Sequence, residues 1–244
     1  MPLDYTVHLT PLVSRLRLAI AARGSRRWVY QRFWETMQPT PAMRVADFGV
    51  SGHRRNTAYS YFERAYPWKD RLTVISRAEE GADWYPEEIP GLTFLEADLR
   101  SIPLPDNHFD IGICNAVVEH AGSRDGQREL VREVCRVSRK VMFTTPNKWF
   151  PIEHHTLLPF VHWLPGRLFR AILRRLGHDF LAREENLNPL DARTLLSLFP
   201  PERDTRIVRG AGWMPLTSIL CVSTVREAPG SPVAASQEAG LSNA

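Results

Sequence analysis

Between residues 44 and 144, short apolar runs of strand length alternate with segments long enough for a helix. This rhythm restricts the fold more than any other feature of the chain. The runs 44–48, 72–75, 93–97, 110–115 and 140–144 read as strands, and 55–66, 78–88 and 125–137 have room for helices. Strands separated by helix-length crossovers lie parallel and are covered on both faces of their sheet. Two later runs, near 205–209 and 218–225, flank the turn-rich "GAGWMPLT" and predict a hairpin at one sheet edge. The expected fold is α/β: a Rossmann-like seven-stranded sheet, mostly parallel with an antiparallel last strand, with helices on both faces. Ligands of such sheets sit beyond the carboxyl ends of the strands, where strand order reverses. That rule puts Gly49–Arg54 at the mouth of the first strand, Asp98 after the third and Asn115 after the fourth.

The rest of the chain divides by composition. Residues 1–40 form an N-terminal helical segment, basic and aromatic over 14–37 and broken near Gly24; residues 41–226 form the α/β domain. Within it, 146–190 is rich in Pro, His, Trp and Arg and reads as an insert or cap, while 227–244 is small, polar and expected to be disordered. The net charge is only +4, yet arginines crowd into 15–32 and 167–175. Such clusters are solvated helix faces or contacts for phosphate or anionic lipid. Cys114, Cys135 and Cys221 stand apart in apolar segments, as buried thiols of a reducing compartment do, without metal or disulfide spacing. No apolar run approaches the ~20 residues that span a bilayer, and Asp4 interrupts any leader-like start. A cytoplasmic protein is expected.

The loop "RVADFGVSGHRRN", residues 44–56, holds only Gly49 and Gly52, neither a dinucleotide fingerprint nor a P-loop. Its meaning comes from a later block. In "EADLRSIPLPDNHFDIGICNAVVEH", residues 96–120, the order and spacing of Asp98, Pro103, Pro105, Asp106, Phe109, Asp110, Glu119 and His120 resemble the central block of class I S-adenosylmethionine-dependent methyltransferases, type 11-like.

The resemblance implies S-adenosylmethionine as cofactor. It places Asp47, Gly49, Ser51 and Gly52 around the methionine half, in a loop that departs from the family's three-glycine form. Ser76 stands where the family has an acid for the ribose, and Asp98 with Leu99 occupies the adenine position. Asn115 is placed to hold the cofactor's amino group or the substrate. Glu119 and His120 fall at the reacting centre, His120 having the chemistry of a general base. Asn147, His154 and His155, just after the fifth strand, are expected to line the pocket of a small-molecule or lipid-like acceptor. Glu153, His154, His155 and His162 lack a recognised metal-ligand spacing, so no metal is expected. The amphipathic stretch 167–177, with Arg167, Arg170 and Arg174 on one face, is either a lid helix or a peripheral membrane contact. No nucleic-acid module is recognisable. The alternative to methyl transfer is a non-methylating member of the fold, acting as a binding or scaffold subunit or catalysing another reaction.

Overall fold

The computed structural model describes residues 26–52, 54, 59–77, 81–208 and 217–226. The expected start of the N-terminal helix, the Gly24 break, the turn at 210–216 and the tail 227–244 lie outside the described residues.

Strands β1 (Val45–Phe48), β2 (Leu72–Ser76), β3 (Thr93–Glu96), β4 (Phe109–Asn115) and β5 (Ser138–Pro146) pair in parallel. β7 (Ser218–Val225) runs antiparallel to β5, and β6 (Arg203–Ile207) antiparallel to β7. The sheet has seven strands in the order β3-β2-β1-β4-β5-β7-β6. Strand order reverses between β1 and β4, the switch point at which a ligand crevice opens. All four residues of β1 are buried because both faces of the sheet are covered. β3, at the edge, leaves Thr93 and Glu96 exposed.

One face carries α1 (Arg26–Met37), α2 (Tyr61–Ala65) and α3 (Tyr85–Glu88), which pack Phe33, Met37 and Tyr85 against Val45, Val74, Ile111 and Ile113. Phe33 meets Phe62 edge-on at 4.9 Å, and Tyr66 stacks on Phe62 at 5.7 Å, which locks α1 onto α2. The other face carries α4 (Arg124–Val137) and α6 (Ala192–Leu196) over Phe48, Cys114, Val141 and Phe143. α4 begins where the Ser123 hydroxyl accepts from the Gly126 amide, and it turns Leu130, Val131, Val134 and Val137 inward at helical spacing.

Some element boundaries differ from the sequence reading. The segment 78–88 yields only the short α3 among its described residues, since Gly81 lies at φ +62°, Pro86 opens the helix and Pro90 follows its end. β6 begins at Arg203 rather than 205. Its buried guanidinium donates to the carbonyls of Cys135, Ser138 and Arg139, so a charged residue is drawn into the strand.

Residues 147–190 build a third apolar cluster in which Phe169 and Leu173 of α5 (Gly166–Arg175) meet Leu181, Ala182 and Leu187. Its end is tied to the domain: the Asn188 amide donates to Glu119 O at 2.8 Å, and Gln127 Nε2 donates to Asn188 O at 2.9 Å. The three cysteines are buried and free. No helix among the described residues is long and apolar enough to cross a membrane.

Candidate functional site

A cavity of about 940 Å³ opens at the carboxyl ends of β1, β2 and β4. Asp47, Gly49, Ser51, Ser76, Asp98, Leu99, Asn115, His120 and His155 line it. Of the other sequence-derived residues, Gly52 is buried and outside the lining, and Glu119, Asn147 and His154 line a separate small cavity that His155 shares.

The loop after β1 is built by its own carbonyls. Gly49 sits at φ +79°, and a Cβ there would lie 2.6 Å from both Val117 methyl groups, so backbone conformation and close approach both require glycine. Ser76 Oγ donates to Val50 O at 3.1 Å, Tyr85 Oη to Ser51 O at 3.3 Å, and Trp84 Nε1 to Gly52 O at 3.1 Å. Trp84 and Tyr85 stack at 4.1 Å, so a stacked aromatic pair holds the loop through its Ser51 and Gly52 carbonyls. Ser76 therefore spends its proton on the loop.

Beside Gly49 lies a group the sequence did not reveal. Asp47 and Glu63 are both buried, and burial pushes both carboxyls up, Asp47 well above the carboxylate range with the charge of Glu63 adding to the rise. Burial also raises the Tyr85 hydroxyl, and the charge of Glu63 adds to the rise. The nearby Arg26 favours both anions; it donates to Tyr59 O at 3.2 Å and its guanidinium sits 4.7 Å over the Tyr59 ring. One wall thus presents a cation and a pair of acids.

Asp98, also in the cavity lining, is held in a fork by Arg100, with Nη2 to Oδ2 at 2.7 Å and Nε to Oδ1 at 3.1 Å. Those bonds lower its carboxyl to about 2, so it is ionised at any working pH. Leu99 is buried beside it. Asn115 closes β4 and accepts from the Thr144 hydroxyl through Oδ1, which leaves its amide nitrogen as the other end of a fixed group. Ala116 follows at φ +56°, a left-handed turn that swings the chain from β4 into the 3₁₀ turn Val118–His120.

That turn carries Glu119 and His120. His120 Nδ1 lies 2.6 Å from Asn186 O, the geometry of an N–H donating to a carbonyl. Glu119 is buried; its Oε2 accepts from Thr145 Oγ1 at 2.9 Å, and burial pushes its carboxyl up. The His155 ring stands at 87° to that of His120, with centroids 4.9 Å apart. Behind it, Glu153 accepts from His155 Nδ1 at 2.8 Å, from the His155 and Thr156 amides and from Thr156 Oγ1 at 2.7 Å. Burial opposes the Glu153 charge, yet His155 and these bonds outweigh it and hold the carboxyl below its ordinary range. Asn147 instead turns back on its own loop, Oδ1 accepting from the Trp149 amide at 3.0 Å, and His154 packs on Phe150. The insert supplies His155, Glu184, Glu185 and Asn186 to the cavity wall.

Residues 57–141 match the family model described as a methyltransferase domain. The matched segment begins beyond the Gly49–Gly52 loop and ends in β5, so it includes Asp98, Asn115, Glu119 and His120. No curated protein matches the chain. Among solved structures, the YcgJ protein from Bacillus subtilis is similar with a TM-score of 0.54 and 14% identity, over 83% of this chain and 100% of that one. Magnesium protoporphyrin IX methyltransferase (ChlM) from Synechocystis PCC 6803, solved with bound SAH, gives 0.54 and 12%, over 89% of each chain. The PH0226 protein from Pyrococcus horikoshii OT3 gives 0.54 and 13%, over 91% and 97%. At these identities the likeness is one of fold, and the fold is the Rossmann-like methyltransferase fold.

Proposed function

We propose that this chain transfers a methyl group from S-adenosylmethionine to a small-molecule or lipid-like acceptor. The observation that carries the reading is the set of groups that share the lining of one cavity. Arg26 with Asp47 and Glu63 suits the carboxylate and ammonium of an amino acid, and Asp98 with Leu99, in the lining of the same cavity, suits the amine edge of adenine. Gly49 and Ser51 line the same cavity, Gly49 in a left-handed conformation that glycine alone holds without strain.

S-adenosylmethionine supplies a sulfonium-bound methyl group; the acceptor loses a proton and gains that methyl in one in-line displacement. The chain's part is to align the two partners and to provide for the proton. In this reading His120, oriented by Asn186, and Glu119 take up that proton. Asp98, ionised throughout, accepts from the adenine amine, and Asn115 offers its amide to the cofactor or the acceptor.

Isothermal titration with S-adenosylmethionine and S-adenosylhomocysteine tests the reading. Saturable binding of both, one per chain, is expected, followed by formation of S-adenosylhomocysteine with a competent acceptor. One observation favours the alternative of a non-methylating member: the hydroxyl of Ser76, at the strand end where the family has a ribose-binding acid, is bonded to Val50 O. No binding of either compound would decide for that alternative.

The surface supports a lipid-like acceptor. Trp149, Phe160, Trp163, Leu164, Leu168 and Leu176 are exposed, with Phe160 and Trp163 in ring contact at 4.9 Å. Of the expected arginine face, Arg167 and Arg174 are exposed together with Arg175, whereas Arg170 is drawn in to pair with Glu184 at 3.1 Å. Exposed aromatic and aliphatic groups on a segment that also exposes cations suit the face of an anionic bilayer, for a cytoplasmic protein peripheral to a membrane. Vesicles containing anionic lipid should sediment the protein at low salt and release it as salt screens the charges. Changing Arg167, Arg174 and Arg175 to Gln should remove the effect. Equal sedimentation of the variant would put the membrane contact elsewhere, and a wild type that stays in the supernatant would leave the acceptor a soluble molecule.

A further inference from the structure

We infer that Glu119, His120 and His155 form a site for one divalent transition ion of the zinc class, at the acceptor end of the cavity. One ligand atom from each residue lies within 4.8 Å of the others, and His120 Nε2 is 4.0 Å from Glu119 Oε1. Ligands 2.0–2.2 Å from a tetrahedral ion stand roughly 3.4 Å apart. The three atoms therefore need to draw in by about an ångström, within reach of small side-chain rotations.

The surroundings are those of ligands already oriented. His155 Nδ1 is engaged by the Glu153 carboxylate and His120 Nδ1 by the Asn186 carbonyl, at 2.8 and 2.6 Å. A carboxylate or carbonyl on one ring nitrogen fixes the tautomer that puts the lone pair on the other, the arrangement metal-bound imidazoles use. Glu119 shows the same division. Its Oε2 accepts from Thr145, while its Oε1, in a residue 1% exposed, has no hydrogen-bond partner among the described residues. A buried carboxylate oxygen without a partner is costly, and a cation between it and the imidazoles would satisfy it. Two imidazoles and one carboxylate match zinc and its neighbours rather than magnesium or calcium, which take oxygen ligands. Such a three-ligand set leaves at least one position open, and His120 and His155 both line the large cavity.

The sequence hid the site because His155 is 35 positions from His120, and Glu153 draws the eye to the wrong group. If the methyl-transfer reading holds, the open position would take an acceptor oxygen and make its proton more acidic; His120 would then be a ligand rather than the base. Binding of the ion itself does not depend on that reading.

The full chain, stripped with chelator, is titrated with Zn²⁺ by calorimetry and with Co²⁺ by visible absorption. One ion per chain is expected, with the ligand-field bands of Co²⁺ in a nitrogen and oxygen site. Glu119→Gln and His155→Gln should each weaken binding by roughly 100-fold or more, and Glu153→Gln by about 10- to 100-fold through His155. Circular dichroism checks that each variant is folded. Wild-type protein that takes up less than a tenth of an equivalent overturns the inference without any variant, as does unchanged Co²⁺ absorption in folded Glu119→Gln and His155→Gln. S-adenosylhomocysteine is titrated into the same samples. An ion without that ligand keeps the metal site and removes the methyl-transfer reading, and the ligand without an ion does the reverse.

Discussion

Asp47→Asn is expected to make the ligand-free protein melt at a higher temperature and, at the same time, to weaken S-adenosylhomocysteine binding by roughly 10- to 100-fold, the worth of one charge-assisted hydrogen bond. Asp47 and Glu63 are buried together, and burial followed by mutual repulsion raises the Asp47 carboxyl well above its ordinary value of 3.8. An acid whose pKa is higher in the folded state holds a proton that the unfolded chain has already released. Above pH about 4 the folded form therefore binds more protons, and stability falls as pH rises through the window up to the raised pKa. The amide variant has no proton to lose and should show a shallower decline. Melting curves of both proteins between pH 4 and 9, on the order of five points, read this directly. Binding carries the opposite sign: an ammonium placed beside the acids favours their ionised forms, so wild-type affinity should rise with pH while the ligand drives a proton out. A variant that melts lower than wild type, or binds as tightly, would mean that Asp47 serves the turn after β1 and nothing else.

Why this group escaped the sequence reading is a matter of distance along the chain. Strands show themselves locally: β1, β2, β4 and β5 are near-continuous apolar runs because both their faces are buried, and the crossover rule then places Asp98 and Asn115 at strand ends. Arg26 and Glu63 carry no such mark. Each sits on a short helix beside aromatic residues, and only the docking of α1 on α2 through Phe33, Phe62 and Tyr66 brings them to Asp47. The Gly49–Gly52 loop was legible as a variant turn, but its support by Trp84 and Tyr85 came from a segment with no motif. The insert divides in the same way. Its composition announced a polar pocket lining, whereas the turn at Asn147–Phe150 directs Asn147 to Trp149 and leaves His155 as the member of the expected trio that reaches the large cavity.

Glu153→Ala should cost about 3–5 kcal/mol of stability, the range found when one partner of a buried charged network is removed. The Glu153 carboxylate gathers the His155 and Thr156 amides, the Thr156 hydroxyl and His155 Nδ1 in a site closed to solvent. Alanine leaves all of these donors without an acceptor, and each buried unpaired donor carries a desolvation penalty of about 1–3 kcal/mol. The same turn holds Leu157 at φ +58° and Phe160 at φ +61°, conformations that cost a side-chain-bearing residue about 1–3 kcal/mol each and persist only where the surroundings enforce them. With the carboxylate gone, the Glu153 N to Leu158 O bond at 2.9 Å and the Leu157 N to Glu153 O bond at 2.8 Å are left to hold the turn. Glu153→Gln keeps the volume and one acceptor, so it should fall between wild type and alanine. Urea denaturation at neutral pH measures the order, and limited proteolysis should find new cuts between residues 153 and 165 in the alanine variant. The effect should be local as well as energetic, because α5 and the exposed Trp163 hang from this turn, while β1–β5 keep their own core. A loss below about 0.5 kcal/mol, within the range of an ordinary surface substitution, would show that the turn is held by the apolar cluster of Phe169, Leu173 and Leu181 instead. His155 would then owe its place beside His120 to packing rather than to the carboxylate behind it.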